Sequence, residues 1–286
     1  VGNQLISVIQ LGSVDYPTGL SLQQRLVELR QQGRIGDVLL LLEPTPVITL
    51  GRNAKARNIL ASPELLARRG VEVFACDRGG DVTFHGPGQL VGYPIFDLRG
   101  FTTPDDGRKT LGAIAYVRRL EEVLLRTCAD FGIPAKTIPG LTGVWTDPHP
   151  VSCPSKRDGS PAEPGAGSRD PVFPEAKIAA IGVHISRAVT SHGWALNVNT
   201  DLSYFDLIIP CGLESRPVTS MERELGRQIP LQDVAHSICR NFGVVFETQM
   251  FWLESLDGLL GGPVGVPMKP PAELRRLRKQ EDSFWA

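Results

Sequence analysis

Five consecutive apolar residues, Val38 to Leu42, run unbroken up to Glu43-Pro44. Such a run belongs to a strand buried on both faces, so the sheet that contains it needs cover on both sides. The neighbouring segments alternate strand and helix patterns. Leu5 to Leu11 reads as a first strand, and Thr18 to Gln32 as a helix with Leu22, Leu26 and Leu29 on one face. Val47 to Leu50 is a short strand ending at Gly51. Ser62-Pro63-Glu64 is an N-cap followed by proline in the first turn, opening a helix that stops at Gly70, and Val71 to Cys76 is the next strand. The longest helix is expected over Thr110 to Phe131, where Leu111, Ile114, Val117, Leu120, Leu124 and Phe131 recur every three or four residues before Gly132-Ile133-Pro134. Short β segments follow at Gly143–Thr146, Ile178–Ile185 and Ala195–Val198, and a last amphipathic helix at Leu231–Phe242.

The 286 residues are 42% hydrophobic and 21% charged, enough apolar material for a real core. A net charge of −1 supplies no basic field for nucleic acid. No apolar run approaches the roughly 18–20 residues that span a bilayer, and no charged and then apolar leader opens the sequence. Residues 1–250 are expected to form a single catalytic domain and 251–286 a C-terminal extension. Within the first, 147–174 is rich in Pro, Gly, Ser and charge without apolar periodicity, and reads as a long mobile surface insertion. Five cysteines, at 76, 128, 153, 211 and 239, form no CxxC pair, which favours free thiols in a reducing cytoplasm over a disulfide framework. His149 and Cys153 have no partners of metal-ligand spacing, so no metal is expected.

Chemistry concentrates in three places. The densest is Arg78-Gly79-Gly80-Asp81-Val82-Thr83-Phe84-His85-Gly86-Pro87-Gly88-Gln89-Leu90, between two strand-like segments. Glycines let a ligand approach main-chain N–H groups closely, and Arg78, Thr83, His85 and Gln89 cluster with them. A plain hairpin turn is the competing reading. The standard nucleotide loops, GxGxxG and GxxxxGK[ST], are absent. The second is Pro210-Cys211-Gly212, a thiol presented by a tight turn, whereas Cys76, Cys128 and Cys239 sit in regular apolar patterns and read as core. The third is Lys177, heading the apolar strand Ile178-Ala179-Ala180-Ile181-Gly182-Val183. It is either a solvated strand end or an ammonium drawn into a pocket. Spacing alone does not bring Lys177 to Cys211.

Together these residues resemble the lipoate-biosynthesis octanoyltransferases. Three stretches carry the likeness: Arg78-Gly79-Gly80-x-x-Thr83-x-His85-Gly86-Pro87-Gly88-Gln89-Leu90-x-x-Tyr93-Pro94; Gly143-Val144-Trp145 with Lys177 to Gly182; and Thr190-Ser191-His192-Gly193-x-Ala195-Leu196-Asn197-Val198-Asn199-x-Asp201-Leu202 running on to Pro210-Cys211-Gly212. The resemblance implies an α+β fold of the biotin/lipoate protein ligase type, with mixed β-sheets flanked by helices. It implies Cys211 as acyl-thioester nucleophile and Lys177 as the base that lowers its pKa. Substrate contacts would fall on Arg78, Gly79, Gly80, Asp81, Val82, Thr83, Phe84 and His85, on Ala180, Ile181 and Gly182, and on Gly193, Trp194 and Ala195.

The implied reaction moves an octanoyl group from octanoyl-acyl carrier protein to a lysine ε-amine on a lipoyl domain, with no cofactor, ATP or metal. Backbone N–H groups near the Gly-rich loop or Cys211 would serve as oxyanion donors. Acceptors would be the lipoyl domains of 2-oxoacid dehydrogenases and the glycine cleavage H protein, and the chain would act as a monomer, away from nucleic acid and membrane. Two other classes compete with this reading. They are an ATP-dependent lipoate or biotin ligase, which forms no cysteine adduct, and a non-catalytic carrier-protein binder, which survives loss of Cys211.

Overall fold

The computed structural model describes residues 4–101, 110–150, 172–212, 216–260 and the pair 275–276. The run at the start of the sequence forms β2 (Asp37–Pro44), flanked by β1 (Leu5–Val14) and, across the sheet, β6 (Gln89–Ile95). Its alternation divides the core. Val38, Leu40 and Leu42 face α1 (Tyr16–Gln31), while Leu39 and Leu41 face α3 (Ala113–Asp130) and α5 (Leu231–Phe246). Both faces are therefore covered, as the five apolar residues require.

β6 continues through β12 (Val189–Asn197), β11 (Ala176–Ser186), β8 (Leu141–Thr146) and β7 (Ala135–Ile138) in antiparallel pairs. On the other side β1 pairs in parallel with β2 and with β13 (Gln249–Leu253). The result is a mixed eight-stranded sheet. A smaller sheet sets β3 (Val47–Leu50) between β4 (Glu72–Ala75) and β5 (Val82–His85), and Arg275–Arg276, β14, pairs with β4. Its core joins Ile48, Val73 and Phe84 to Leu66 of α2 (Pro63–Arg68) and to Phe205 and Leu207. Among the described residues, no helix is long and apolar enough to cross a membrane.

Several expectations shift. The first helix starts at Tyr16 because Asp15 caps it, its carboxylate accepting from Thr18 N at 2.9 Å, and Pro17 sits in the first turn where it costs no hydrogen bond. The third helix starts at Ala113. Leu111 is buried from the preceding loop, which leaves Ile114 79% exposed and gives the core face to Tyr116, Leu120 and Leu124. The β segments after it are long, with β11 and β12 forming a hairpin whose turn, Arg187-Ala188, takes positive φ at both residues. Cys76 is half-buried, unlike the core thiols Cys128 and Cys239. The boundary expected at 250 falls inside β13, and Leu256 beyond it packs on the α1 side of the sheet. β9 (His149–Pro150) and β10 (Val172–Phe173) pair at the base of the proline-rich insertion, whose residues 151–171 lie outside the described ones. α4 (Met221–Leu225), capped by Ser220, and α6 (Asp257–Leu260) complete the elements.

Candidate active site

Where the small sheet meets β11 and β12, a cavity of about 210 Å³ opens between them. Its apolar wall is Val91, Tyr93, Ile181 and Trp194, and its lining includes Lys177 and Cys211. Close backbone approach shapes it. The Gly79 N–H donates to Val183 O at 3.1 Å, so the Gly-rich loop lies against β11. A Cβ on Gly182 would stand 2.7 Å from Gly79 O, and one on Gly193 would collide with Gly92 O across the β6–β12 pair. Glycine is required at both positions because the backbone of the neighbouring loop or strand occupies the space.

Arg78 makes the loop rigid. Its guanidinium is buried and donates to Thr49 O at 2.7 Å, Asp81 O at 2.7 Å and Gly79 O at 2.9 Å, with Thr49 Oγ1 on two further bonds. The loop's own carbonyls thus satisfy the charge, and Arg78 shapes the wall. One residue earlier, Asp77 accepts from His192 Nε2 at 2.6 Å and pairs with His184 at 2.9 Å. The His192 hydrogen bond holds the Asp77 carboxyl at about 2, and burial pushes the His192 imidazole down. His192 takes a positive φ within β12 to make this bond.

Lys177 and Cys211, 34 residues apart, meet at 3.3 Å between Nζ and Sγ. Lys177 is 8% exposed, donates to Thr142 O at 3.2 Å and lies 4.7 Å from the centre of the Trp145 ring. A carbonyl, a π-face and a sulfur are all partners for an ammonium. The solvated strand end is thereby excluded. Cys211 has φ 56 and ψ 17, the left-handed region that non-glycine residues rarely adopt, and this turn aims its sulfur at Lys177. Asp81 buttresses the turn from behind: its carboxylate accepts from Asn58 Nδ2 and Val82 N, both at 2.7 Å, and a Cβ on Gly212 would stand 2.8 Å from Oδ2.

Of the site residues named from the sequence, all but Phe84 line this cavity. Phe84 is a correction. Strand alternation turns it into the small-sheet core, stacked on Tyr204 at 4.7 Å, while Thr83 and His85 face the cavity. The Gly-rich stretch itself is a loop, then strand β5, then a turn at residues 86–88 leading into β6. His85 Nδ1 contacts Gln89 Oε1 at 2.7 Å, and Gln89 Nε2 donates to Asn197 Oδ1 at 2.9 Å. Asn197 Nδ2 in turn donates to Thr219 O, which fixes every amide and leaves His85 Nε2 as an acceptor. Burial, with the nearby Arg78 cation, pushes His85 down to about 4. Of the backbone N–H groups near the Gly-rich loop and Cys211, that of Gly79 is taken by Val183 O and that of Gly212 by Ile209 O, each at 3.1 Å. Tyr16, Thr49, Thr142 and His192 also line the cavity. Only His192 lay in a motif that marked it in advance; the others arrive from distant elements with no local signal.

The fold is an α+β domain with an apolar cavity whose lining includes a paired cysteine and lysine. Comparison with known proteins gives the family. Residues 15–243 match the lipoyl protein ligase A/B catalytic domain, and the chain belongs to that family. It is 55% identical to an octanoyltransferase of Koribacter versatilis over 97% of this chain and 98% of that one. It is 53% identical to an octanoyltransferase of Acidobacterium capsulatum, over 90% and 96% of the two chains. The fold is similar to a lipoate-protein ligase A solved with ATP, at a TM-score of 0.59 and 13% identity, covering 89% of each chain. It is also similar to a bipartite lipoate protein ligase of Thermoplasma acidophilum, at 0.56 and 13%, covering 88% of this chain and 86% of that one. The expected ligase-type α+β fold is therefore the observed one.

Proposed function

We propose that this chain is an octanoyltransferase of protein lipoylation that carries the acyl group on Cys211. The observation that supports it most is the 3.3 Å contact between Lys177 Nζ and Cys211 Sγ in the lining of an apolar cavity. The identity to octanoyltransferases over nearly the whole chain supports the choice of acyl transfer over ligation or simple binding.

The chemistry closes on these two residues. With Cys211 as thiolate and Lys177 as ammonium, the sulfur attacks the carbonyl of an octanoyl thioester on acyl carrier protein. A carbon–sulfur bond forms to Cys211, the bond to the carrier sulfur breaks, and the leaving thiolate takes a proton from Lys177. One thioester replaces another, so the exchange is near thermoneutral and asks for neither ATP nor metal. The neutral ε-amine of a lipoyl-domain lysine then attacks the acyl-enzyme. The carbon–nitrogen bond forms, Cys211 leaves as thiolate, and the amine proton passes to Lys177, restoring the starting pair. The octyl chain lies along Val91, Tyr93, Ile181 and Trp194, and glycines 79, 182 and 193 keep its channel open. The acceptors are lipoyl domains of 2-oxoacid dehydrogenases and the H protein of glycine cleavage, met by a cytoplasmic monomer.

The test is incubation with octanoyl-acyl carrier protein in the absence of ATP, followed by intact-mass analysis. An octanoyl adduct on wild type, mapped to Cys211 and discharged by a lipoyl domain, is the expected result. Modification that requires ATP, or transfer without an adduct, would overturn the proposal.

A further inference from the structure

Cys211 stands between two openings of opposite character. The acyl cavity lies on one side. On the other a groove of about 400 Å³ reaches the same cysteine, and the two share only Gly80, Asp81 and Cys211. The groove's remaining lining is Asn53, Lys55, Arg57, Asn58 and Gly212, with no hydrocarbon side chain. It is a built feature. Asn53 N donates to Gly80 O at 3.1 Å, and Asn58 O accepts from Ile209 N at 2.8 Å, so the 51–58 segment is tied both to the Gly-rich loop and to the Cys211 turn.

Its charge is one-sided. Lys55 and Arg57 are exposed and have no carboxylate partner among the described residues. The acid in the groove, Asp81, is committed to Asn58 Nδ2, Val82 N and, at 3.3 Å, Lys55 N. Two side-chain cations therefore point into a polar groove whose carboxylate is already engaged. A thioester with its carbonyl at Cys211 and its hydrocarbon in the apolar cavity must send its sulfur substituent out the other way. The geometry points to this groove as the site of the donor's carrier arm, with Lys55 and Arg57 binding the arm's phosphodiester. This inference rests on the acyl-transfer reading above. It adds to that reading an anion subsite, whose ligand class is a phosphorylated pantetheine thiol.

The experiment uses the full-length protein and two probes, 4′-phosphopantetheine and pantetheine, as free thiols and as octanoyl thioesters. In wild type, 4′-phosphopantetheine should slow alkylation of Cys211 by iodoacetamide at concentrations where pantetheine does not. The octanoyl-phosphopantetheine thioester should also be the better donor through a lower KM. Each charge-assisted contact removed should cost about tenfold in that preference. Lys55→Ala with Arg57→Ala should therefore bring the two donors level and abolish the selective protection, while Lys55→Arg should retain both. A double variant that keeps the wild-type preference overturns the subsite. So does a loss confined to the intact carrier protein with the free arms unaffected, which would place the two cations against an acidic protein surface instead. A wild type that forms no adduct from any thioester brings down the acyl-transfer reading and the groove together. An adduct formed equally from both arms overturns the groove alone.

Discussion

Replacing Lys177 with alanine removes a cation 3.3 Å from the Cys211 sulfur, and the size of the effect can be worked from that distance. Two unit charges so placed attract by ~1.3 kcal/mol in bulk water and by ~5 kcal/mol at an effective dielectric constant of about 20. Cys211 is only half-buried, so a value toward the lower end applies, and Lys177→Ala loses ~1.4–3 kcal/mol of stabilisation of the anionic sulfur. A thiolate freed of its cation is intrinsically more nucleophilic, and with a Brønsted coefficient of about 0.4–0.5 roughly half of that loss, on the logarithmic scale, is recovered. Iodoacetamide alkylation of Cys211 at pH 7 should therefore slow about three- to tenfold in Lys177→Ala. Transfer to the acceptor amine should fall much further, because the proton acceptor has gone as well. Lys177→Arg keeps the charge and cannot release a proton, so it should alkylate at close to the wild-type rate and still fail in transfer. The assay is the alkylation rate followed by mass, beside lipoyl-domain octanoylation, for all three proteins. Alkylation within twofold of wild type in Lys177→Ala would refute the electrostatic reasoning, since no dielectric compatible with 3.3 Å gives so small a change.

Four further outcomes follow from the same geometry. Cys211→Ala should leave the thermal transition nearly unmoved and abolish both adduct and transfer; turnover by this variant would end the covalent mechanism. His85 is held at about 4, below its ordinary 6.5, so as pH falls the unfolded chain takes up this proton first; stability should drain away from about pH 6.5 to about pH 4, by at most ~3 kcal/mol, and His85→Gln should flatten the slope in urea titrations. Gly193→Ala forces a Cβ against Gly92 O and should cost ~1–3 kcal/mol, or about 3–10 °C of melting temperature by calorimetry, whereas Gly112→Ala, with open space around it, should be nearly silent. Exchanging residues 152–170 for a short Gly/Ser linker should leave acyl-enzyme formation nearly unchanged, since a stretch rich in Pro, Gly, Ser and charge supports no packed core; loss of the adduct in a folded variant, by mass, would show that the segment shapes the site.

Much of this protein is written locally. The apolar run of β2, the Ser62-Pro63 start of α2 and the three leucines of α1 need only neighbouring residues to declare themselves, because hydrogen-bond closure and side-chain periodicity act over a few positions. The Gly-rich stretch and the cysteine in its turn were legible for the same reason: glycine and a left-handed thiol are local solutions to local crowding. The sequence could name Lys177 and Cys211 but not join them. Their contact exists because β11 pairs with β8 and β12 while the Cys211 turn is pinned to Asn58 and Asp81, contacts that, the β11–β12 hairpin aside, join residues distant in the sequence. The same holds for Tyr16 and Thr49 in the cavity wall, for Phe84 turning away from it, and for β13 crossing back to pair with β1. Such pairings are chosen by which faces can be buried together across the whole chain, and no window of sequence holds both partners.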